Sequence, residues 1–301
     1  MGRQIFLAVG HGSRWPDAIA EAHSFIAALS KRVGQAIALC FLELADPDLA
    51  TGLTQAARQA DVGGSVVVLP LFLGGAGHQK NDVAAALRWA RAQFPEVVFH
   101  MGAPLAPHAN LLRLLAQRVE EALAAAGNAA PPQKTVVLVV GRGSSDPAGN
   151  SEVARLAYLL FESNRFHAVE YAFQAVGRPT VAEGIRRCHA LAAQQVVVAP
   201  YLLFTGEVAH DIHRTAAAAG HELGLQIVHA THLGMHPLLL EAASQRLAEA
   251  AAGAAAMNCD LCQYRFALPG REHNVGLTQT THHLHGGAVH AHHHHEDDHD
   301  H

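Results

Sequence analysis

The stretch LAVGHGSRWPDA at residues 7–18 recurs as LVVGRGSSDPAG at residues 138–149, an offset of 131. Working outward, CFLELADP at 40–47 recurs as AFQAVGRP at 172–179, an offset of 132, and VVVLPLFLGGAGH at 66–78 recurs as VVVAPYLLFTGEV at 196–208, an offset of 130. Three blocks in one order at nearly one spacing are the signature of an internal duplication. Each block begins as an apolar run rich in β-branched residues and then breaks into a loop of Gly, Pro, Ser or Asp. That is how a strand buried on both faces ends in a loop.

Strands are expected at 5–9, 36–42, 65–71 and 97–101 in the first copy, and at 135–140, 168–174, 195–202 and 226–230 in the second. Ala- and Leu-rich helical stretches lie between them, such as 16–33, 49–60, 82–93 and 109–125. Apolar strands alternating with helices indicate βαβ units. The expected fold is α/β, two tandem domains, each a small parallel β-sheet flanked by helices. The segment 124–134, with its Gly-Asn and Pro-Pro, is the boundary. It divides the chain into domains at 1–127 and 134–252, followed by a segment at 253–301.

Half of the 301 residues are hydrophobic and 16% are charged, enough apolar content for a sizeable core. The net charge of −5 argues against a nucleic-acid partner. MGRQIFLAVGHGSR runs straight into a strand without the apolar region of a signal peptide, and no apolar run reaches membrane-spanning length. The expectation is a cytoplasmic protein without a membrane partner.

The two copies differ in their polar residues. His11 corresponds to Arg142, Glu43 to Ala175 and His78 to Val208, so the second copy keeps the frame and loses each candidate ligand. In the first copy all three lie at or beyond the C-terminal end of an expected parallel strand, the edge where open α/β sheets bind ligands. Two imidazoles and a carboxylate suit a divalent first-row metal and leave positions open for a substrate. Each residue also has an ordinary structural reading. A lone His in a Gly-rich loop, as His11 is, more often serves a hydrogen bond; Glu43 reads as a cap for the helix after Pro47, and His78 as a cap for a helix near Asn81. Loss of all three together in the second copy favours a shared metal site.

GHGSR and LGGAGH match neither a dinucleotide fingerprint nor a Walker loop, so no nucleotide cofactor is expected. Ser13 and Arg14 beside His11, Lys80 beside His78, and Arg142 with Ser144 and Ser145 are candidate binders of anionic groups. For Lys80 a solvated surface charge is an equal alternative.

The combination GHGSR, FLELADP and LPLFLGGAGH, followed by GRGSSDP, RPTVAEGI and PYLLFTGE, resembles the long form of the CbiX-type sirohydrochlorin cobaltochelatases, members of the class II chelatases. The resemblance covers most of residues 1–240. It implies two similar domains facing one another across a cleft, and a lyase-class metal chelatase that inserts Co²⁺ into sirohydrochlorin for cobalamin biosynthesis. It implies His11 and His78 as metal ligands, with Glu43 at a supporting acidic position. One histidine would take up pyrrole protons as the metal transfers. Sirohydrochlorin is rich in carboxylates, which gives Arg14 and Arg142 a partner. A sirohydrochlorin ferrochelatase or a nickel-inserting relative is the nearest alternative, because such a ligand set does not distinguish these metals. From a different class, the alternative is a His-rich metal store or metallochaperone.

Cys40 and Cys188 sit in apolar segments and read as buried thiols. Cys259 and Cys262 belong to MNCDLC, which fits an MxCxxC motif that the resemblance associates with an iron–sulfur cluster. Two thiolates fall short of four, so a cluster would need a second subunit, as in a homodimer, or ligands other than Cys. A thiol pair or zinc site is the alternative. Of 24 histidines, 11 follow residue 270. His282, His283, His285, His290 and the run His292, His293, His294 and His295 read as a disordered, metal-collecting tail, with a purification tag as the alternative for the run.

Overall fold

A computed structural model describes residues 2–127, 130–163 and 166–255 of the chain. Cys259, Cys262 and the tail histidines therefore lie outside the described residues, and so do the cluster and tail readings. Among the described residues eight strands form two four-stranded sheets, parallel throughout. The first contains β1 (Gln4–Gly10), β2 (Ile37–Phe41), β3 (Ser65–Pro70) and β4 (Val98–Met101) in the order β2-β1-β3-β4. The second contains β5 (Thr135–Gly141), β6 (Ala168–Phe173), β7 (Gln195–Pro200) and β8 (Gln226–His229) in the matching order β6-β5-β7-β8. The duplication read from sequence is thus a duplication of topology. The expected strands are all present, with ends within about two residues.

The connecting helices are α1 (Pro16–Val33), α2 (Leu49–Ala60), α3 (Ala84–Gln93), α4 (Ala109–Ala126), α5 (Pro147–Ser163), α6 (Val181–Ala190), α7 (Glu207–Leu223) and α8 (Pro237–Ala251). Local chemistry explains their limits. Pro16 opens α1, where its missing N–H costs nothing, and Gly34 ends it at φ 69°. The side chain of Asp48 caps α2 by accepting from Thr51 N at 2.7 Å. Thr180 and Glu183 form a reciprocal capping box on α6. No described helix is long and apolar enough to cross a membrane.

Alternation along the strands sorts the core into three layers. Leu7, Val9, Val66 and Val68 pack outward with Leu53, Ala56 and Leu87 of α2 and α3. Leu138, Val196 and Val198 pack with Ile185 of α6 and Ile212 of α7. The opposite faces, including Ala8, Val67 and Leu69 and then Val137, Val139 and Val197, share one central core with Phe25, Leu111, Leu160 and Leu239. Because the central strands β1, β3, β5 and β7 are covered on both faces, they are nearly continuously apolar, the pattern seen in the sequence.

The last helix of each copy crosses to the other copy. α4 packs against β7 and β8, whereas α8 packs against α1, β3 and β4. Arg246 Nη2 donates to Pro107 O at 2.7 Å, Arg118 Nη2 donates to Leu233 O at 2.8 Å, and Arg32 pairs with Glu241. The two units are therefore interlocked. The chain between them also differs from a loop running over 124–134: α4 continues through Ala126, and Pro132–Lys134 form a short 3₁₀ turn.

The loops after β1 and β5 are held alike. Gly12 (φ 92°) and Gly143 (φ 88°) occupy backbone regions that L-residues rarely adopt. A Cβ on Gly12 would lie 1.7 Å from Glu43 O, and one on Gly143 would lie 1.6 Å from Val176 O. Gly34 also has positive φ, but a Cβ there would meet nothing within 4 Å. Gly34→Ala is therefore expected to cost about 1 kcal/mol, the left-handed backbone penalty. Gly143→Ala is expected to cost at least roughly twice that, since steric overlap adds to the penalty; urea unfolding of both variants checks the difference.

Candidate functional site

In the first sheet β1 lies between β2 and β3, so the chain runs from β1 to β2 on one flank and then crosses over β1 to β3 on the other. Crevices open at the carboxyl edge of such a switch point. His11 follows β1 directly and Glu43 lies two residues past β2. Their proximity is fixed by the backbone: Glu43 N donates to His11 O at 3.1 Å, an approach that the absent Cβ of Gly12 permits. The equivalent bond, Ala175 N to Arg142 O at 2.9 Å, shows the second copy keeping the frame with Arg and Ala in place of His11 and Glu43.

His11 Nδ1 lies 3.3 Å from Gly12 O, which assigns the hydrogen to Nδ1 and the lone pair to Nε2. Nε2 is buried without a hydrogen-bond partner and lies 3.5 Å from Glu43 Oε1. Two acceptors thus face each other across a gap that calls for a cation. Two ligands sharing a tetrahedral ion at bonds of 2.0–2.1 Å stand about 3.4 Å apart, so the spacing suits a divalent metal.

His78 brings a second ring edge-on to His11, with centroids 4.7 Å apart. The helix expected at 82–93 begins earlier than predicted, with a π-helical turn at His78–Val83 ahead of α3. His78 is therefore the first residue of a wide turn rather than a cap near Asn81, and such turns recur at functional sites. Asp82, buried and one turn on, accepts from His78 Nδ1 at 2.9 Å. That bond places the lone pair of His78 on Nε2 and orients the ring, the usual role of a carboxylate behind a metal-binding histidine. Phe72 stacks on the His78 ring, with centroids 6.5 Å apart and an interplanar angle of 27°. Glu43 has no part in capping α2, which Asp48 performs.

Among the described residues no group of three or more His, Cys, Asp or Glu side chains forms a finished metal cage. Of the three residues expected as ligands, His11 and Glu43 face each other and His78 lies beside His11, without converging as a three-residue group. The free cysteines Cys40 and Cys188 are buried, as expected, and burial raises the Cys188 thiol to about 12. Both are core thiols, and neither lines the cleft described next.

His11, Glu43 and His78 line a cleft of about 600 Å³ whose walls come from both copies. Ser13, Arg14 and Arg142 also line it, with apolar surface from Trp15, Phe41, Phe72 and Phe204. Lys80, Ser144 and Ser145 do not. Lys80 Nζ instead pairs with Asp146 Oδ2 at 2.6 Å and ties the two copies together. Ser144 Oγ accepts from Asp146 N at 3.0 Å and shapes its own loop. Glu21, which was not anticipated, makes another tie: it accepts from Thr205 N at 2.7 Å and pairs with His232 Nε2 at 2.9 Å. Spacing offers a hint of Asp82, since i and i+4 share a helix face. It offers none for Glu21 or for Asp146, whose partners lie far off in the chain.

Burial lowers the pKa of His11 from 6.5 to about 4, helped by His78 and Arg142 and opposed by Glu43. The ring is accordingly neutral at pH 6. Between pH 6.5 and about 4 the unfolded chain takes up a proton here that the folded chain refuses, so this group costs stability as pH falls through that window. Arg142→Ala is expected to raise the His11 pKa and Glu43→Gln to lower it further, as read by an NMR titration of the ring nitrogens.

The sequence and fold have relatives among known proteins. The CbiX family profile matches residues 6–122 and 136–250, one match per copy. A sirohydrochlorin cobaltochelatase of Priestia megaterium is 36% identical over 267 residues, covering 87% of this chain and 85% of the relative. A sirohydrochlorin ferrochelatase of the same organism is 31% identical over 231 residues, covering 76% and 84%. Among solved structures, SirB from Bacillus subtilis with Fe³⁺ superposes with a TM-score of 0.69 at 27% identity, covering 83% of this chain and 96% of that one. The sirohydrochlorin chelatase SirB from Bacillus subtilis subspecies spizizenii in complex with cobalt gives 0.68 at 26% identity, with the same coverage. With both copies matched and the topology shared, the chain belongs to the CbiX family.

Proposed function

We propose that the chain is a sirohydrochlorin cobaltochelatase, a lyase-class enzyme that places Co²⁺ in the macrocycle of sirohydrochlorin. The observation that carries the reading is the buried, unpartnered Nε2 of His11 facing Glu43 Oε1 at 3.5 Å in a cleft built from both copies. The relationship to a cobaltochelatase over most of both chains supports it. Kinship with ferrochelatases makes Fe²⁺ the metal to test beside Co²⁺.

In this reading Co²⁺ is a substrate, held first by His11 Nε2 and Glu43, with His78 as the third ligand. The macrocycle enters the cleft with its apolar faces against Phe72 and Phe204, while Arg14 and Arg142 pair with its carboxylates. As the ion passes to the pyrrole nitrogens, two pyrrole N–H protons leave. The ligands that the ion vacates take them up: His11, neutral at working pH, and Glu43. The charge of Arg142 then opposes retention of a proton on His11, which favours its release and resets the site. Three ligands with open positions fit a metal that must be surrendered better than a closed cage does.

Absorbance of sirohydrochlorin, followed anaerobically with Co²⁺, Fe²⁺ or Ni²⁺, tests the reading. Acceleration is expected to be greatest with Co²⁺, and no acceleration with any of the three rejects the chelatase reading. His11→Ala and His78→Ala are expected to lower turnover by ~100-fold or more. Arg142→Ala is expected mainly to raise KM by about tenfold, one charged hydrogen bond's worth. Asp82→Asn is expected to weaken Co²⁺ binding by about 10- to 100-fold, because it frees the His78 ring.

A further inference from the structure

A second group of histidines lies on the other copy. His210 and His213 are spaced as HxxH on α7, and His229 and His232 as HxxH running out of β8. A separation of three residues on a helix puts His210 and His213 on one face. The fold brings these two motifs together. His213 Nδ1 and His229 Nδ1 stand 2.8 Å apart, with their rings perpendicular at 89° and centroids 4.6 Å apart. His210 and His232 are near enough to act electrostatically on His213. His210 stacks on Trp15 of the first copy, a residue that lines the cleft, with centroids 4.8 Å apart. His213 and His229 do not line the cleft themselves, so the group sits at its rim.

We propose that His213 and His229 form a second binding site for a divalent first-row cation, separate from the His11–Glu43 gap. Without metal, one Nδ1–H donates to the other Nδ1. Moving that hydrogen to Nε2 of the same ring leaves two Nδ1 lone pairs converging on one point, with no net loss of a proton. Cis ligands of an octahedral ion at bonds of about 2.1 Å are separated by roughly 3.0 Å, so the rings need to part only slightly. The rings come from a helix and a strand end, two rigid elements that fix the approach. His229 is exposed and His213 half-buried, so the pair is open to solvent and water completes the coordination. Burial and the neighbouring histidines lower the His213 pKa to about 4, which keeps the ring neutral and competent as a ligand. Two imidazoles favour Co²⁺, Ni²⁺, Zn²⁺ or Cu²⁺ over Mg²⁺ or Ca²⁺.

The test uses the full chain. Zn²⁺ is titrated into protein labelled at its histidine ring nitrogens, with His213→Gln and His229→Gln assigning the two signals. Both are expected to move together on metal binding. In equilibrium dialysis against Co²⁺, the His213→Gln/His229→Gln double variant is expected to hold one ion fewer than the parent. Signals that stay in place while other histidines respond overturn the proposal, as does a double variant that retains the parental ion count. Neither readout depends on insertion activity, and His11→Ala is expected to leave the paired signals responsive. Failure of this site is thus distinct from failure of the chelatase reading.

Discussion

With its hydrogen on Nδ1, His11 presents the lone pair of Nε2 to the Glu43 carboxylate oxygen 3.5 Å away. A folded chain does not bring two acceptors together without a cost, and here the main chain imposes the arrangement. The bond from Glu43 N to His11 O closes the two strand-end loops on each other, and only a glycine at position 12 lets them come so near. The residues of the cleft depend on this constraint. His78 leans edge-on against His11, Asp82 fixes His78, and Arg142 bears on His11 from the opposite copy.

The interlocked helices give this arrangement its rigidity. With α8 packed on the first sheet and α4 on the second, the copies cannot separate without uncovering both inner sheet faces. The ties at Lys80–Asp146 and Glu21–His232 then hold the two walls in position around the cleft. One copy supplies His11, Glu43 and His78, and the other supplies Arg142 and part of the apolar wall. Duplication with different polar residues at these positions in the two copies makes this cleft asymmetric.

Much of this was legible because strand ends are legible. Continuous apolar runs gave the eight strands, and comparing His11, Glu43 and His78 with Arg142, Ala175 and Val208 singled out the three residues that meet in the cleft. What escaped depends on partners rather than on pattern. An amphipathic α4 or α8 reveals that it has a buried face but not which sheet covers it. Lys80 reads as a cation beside a ligand, and only the fold brings Asp146 to it across 66 residues of chain. The wide turn at His78–Val83 has no periodicity of its own and extends the expected helix backwards. The His213–His229 contact joins a helix to a strand end, and each histidine alone looks like an ordinary surface residue.

The most direct measurement is anomalous diffraction at the cobalt edge from crystals of the full chain grown with Co²⁺. The expected result is an ion bonded to both His11 Nε2 and Glu43 Oε1 at about 2.1 Å, with His78 Nε2 turned towards it. Cobalt bound elsewhere on the chain, with the gap between His11 and Glu43 holding none, would contradict the central claim.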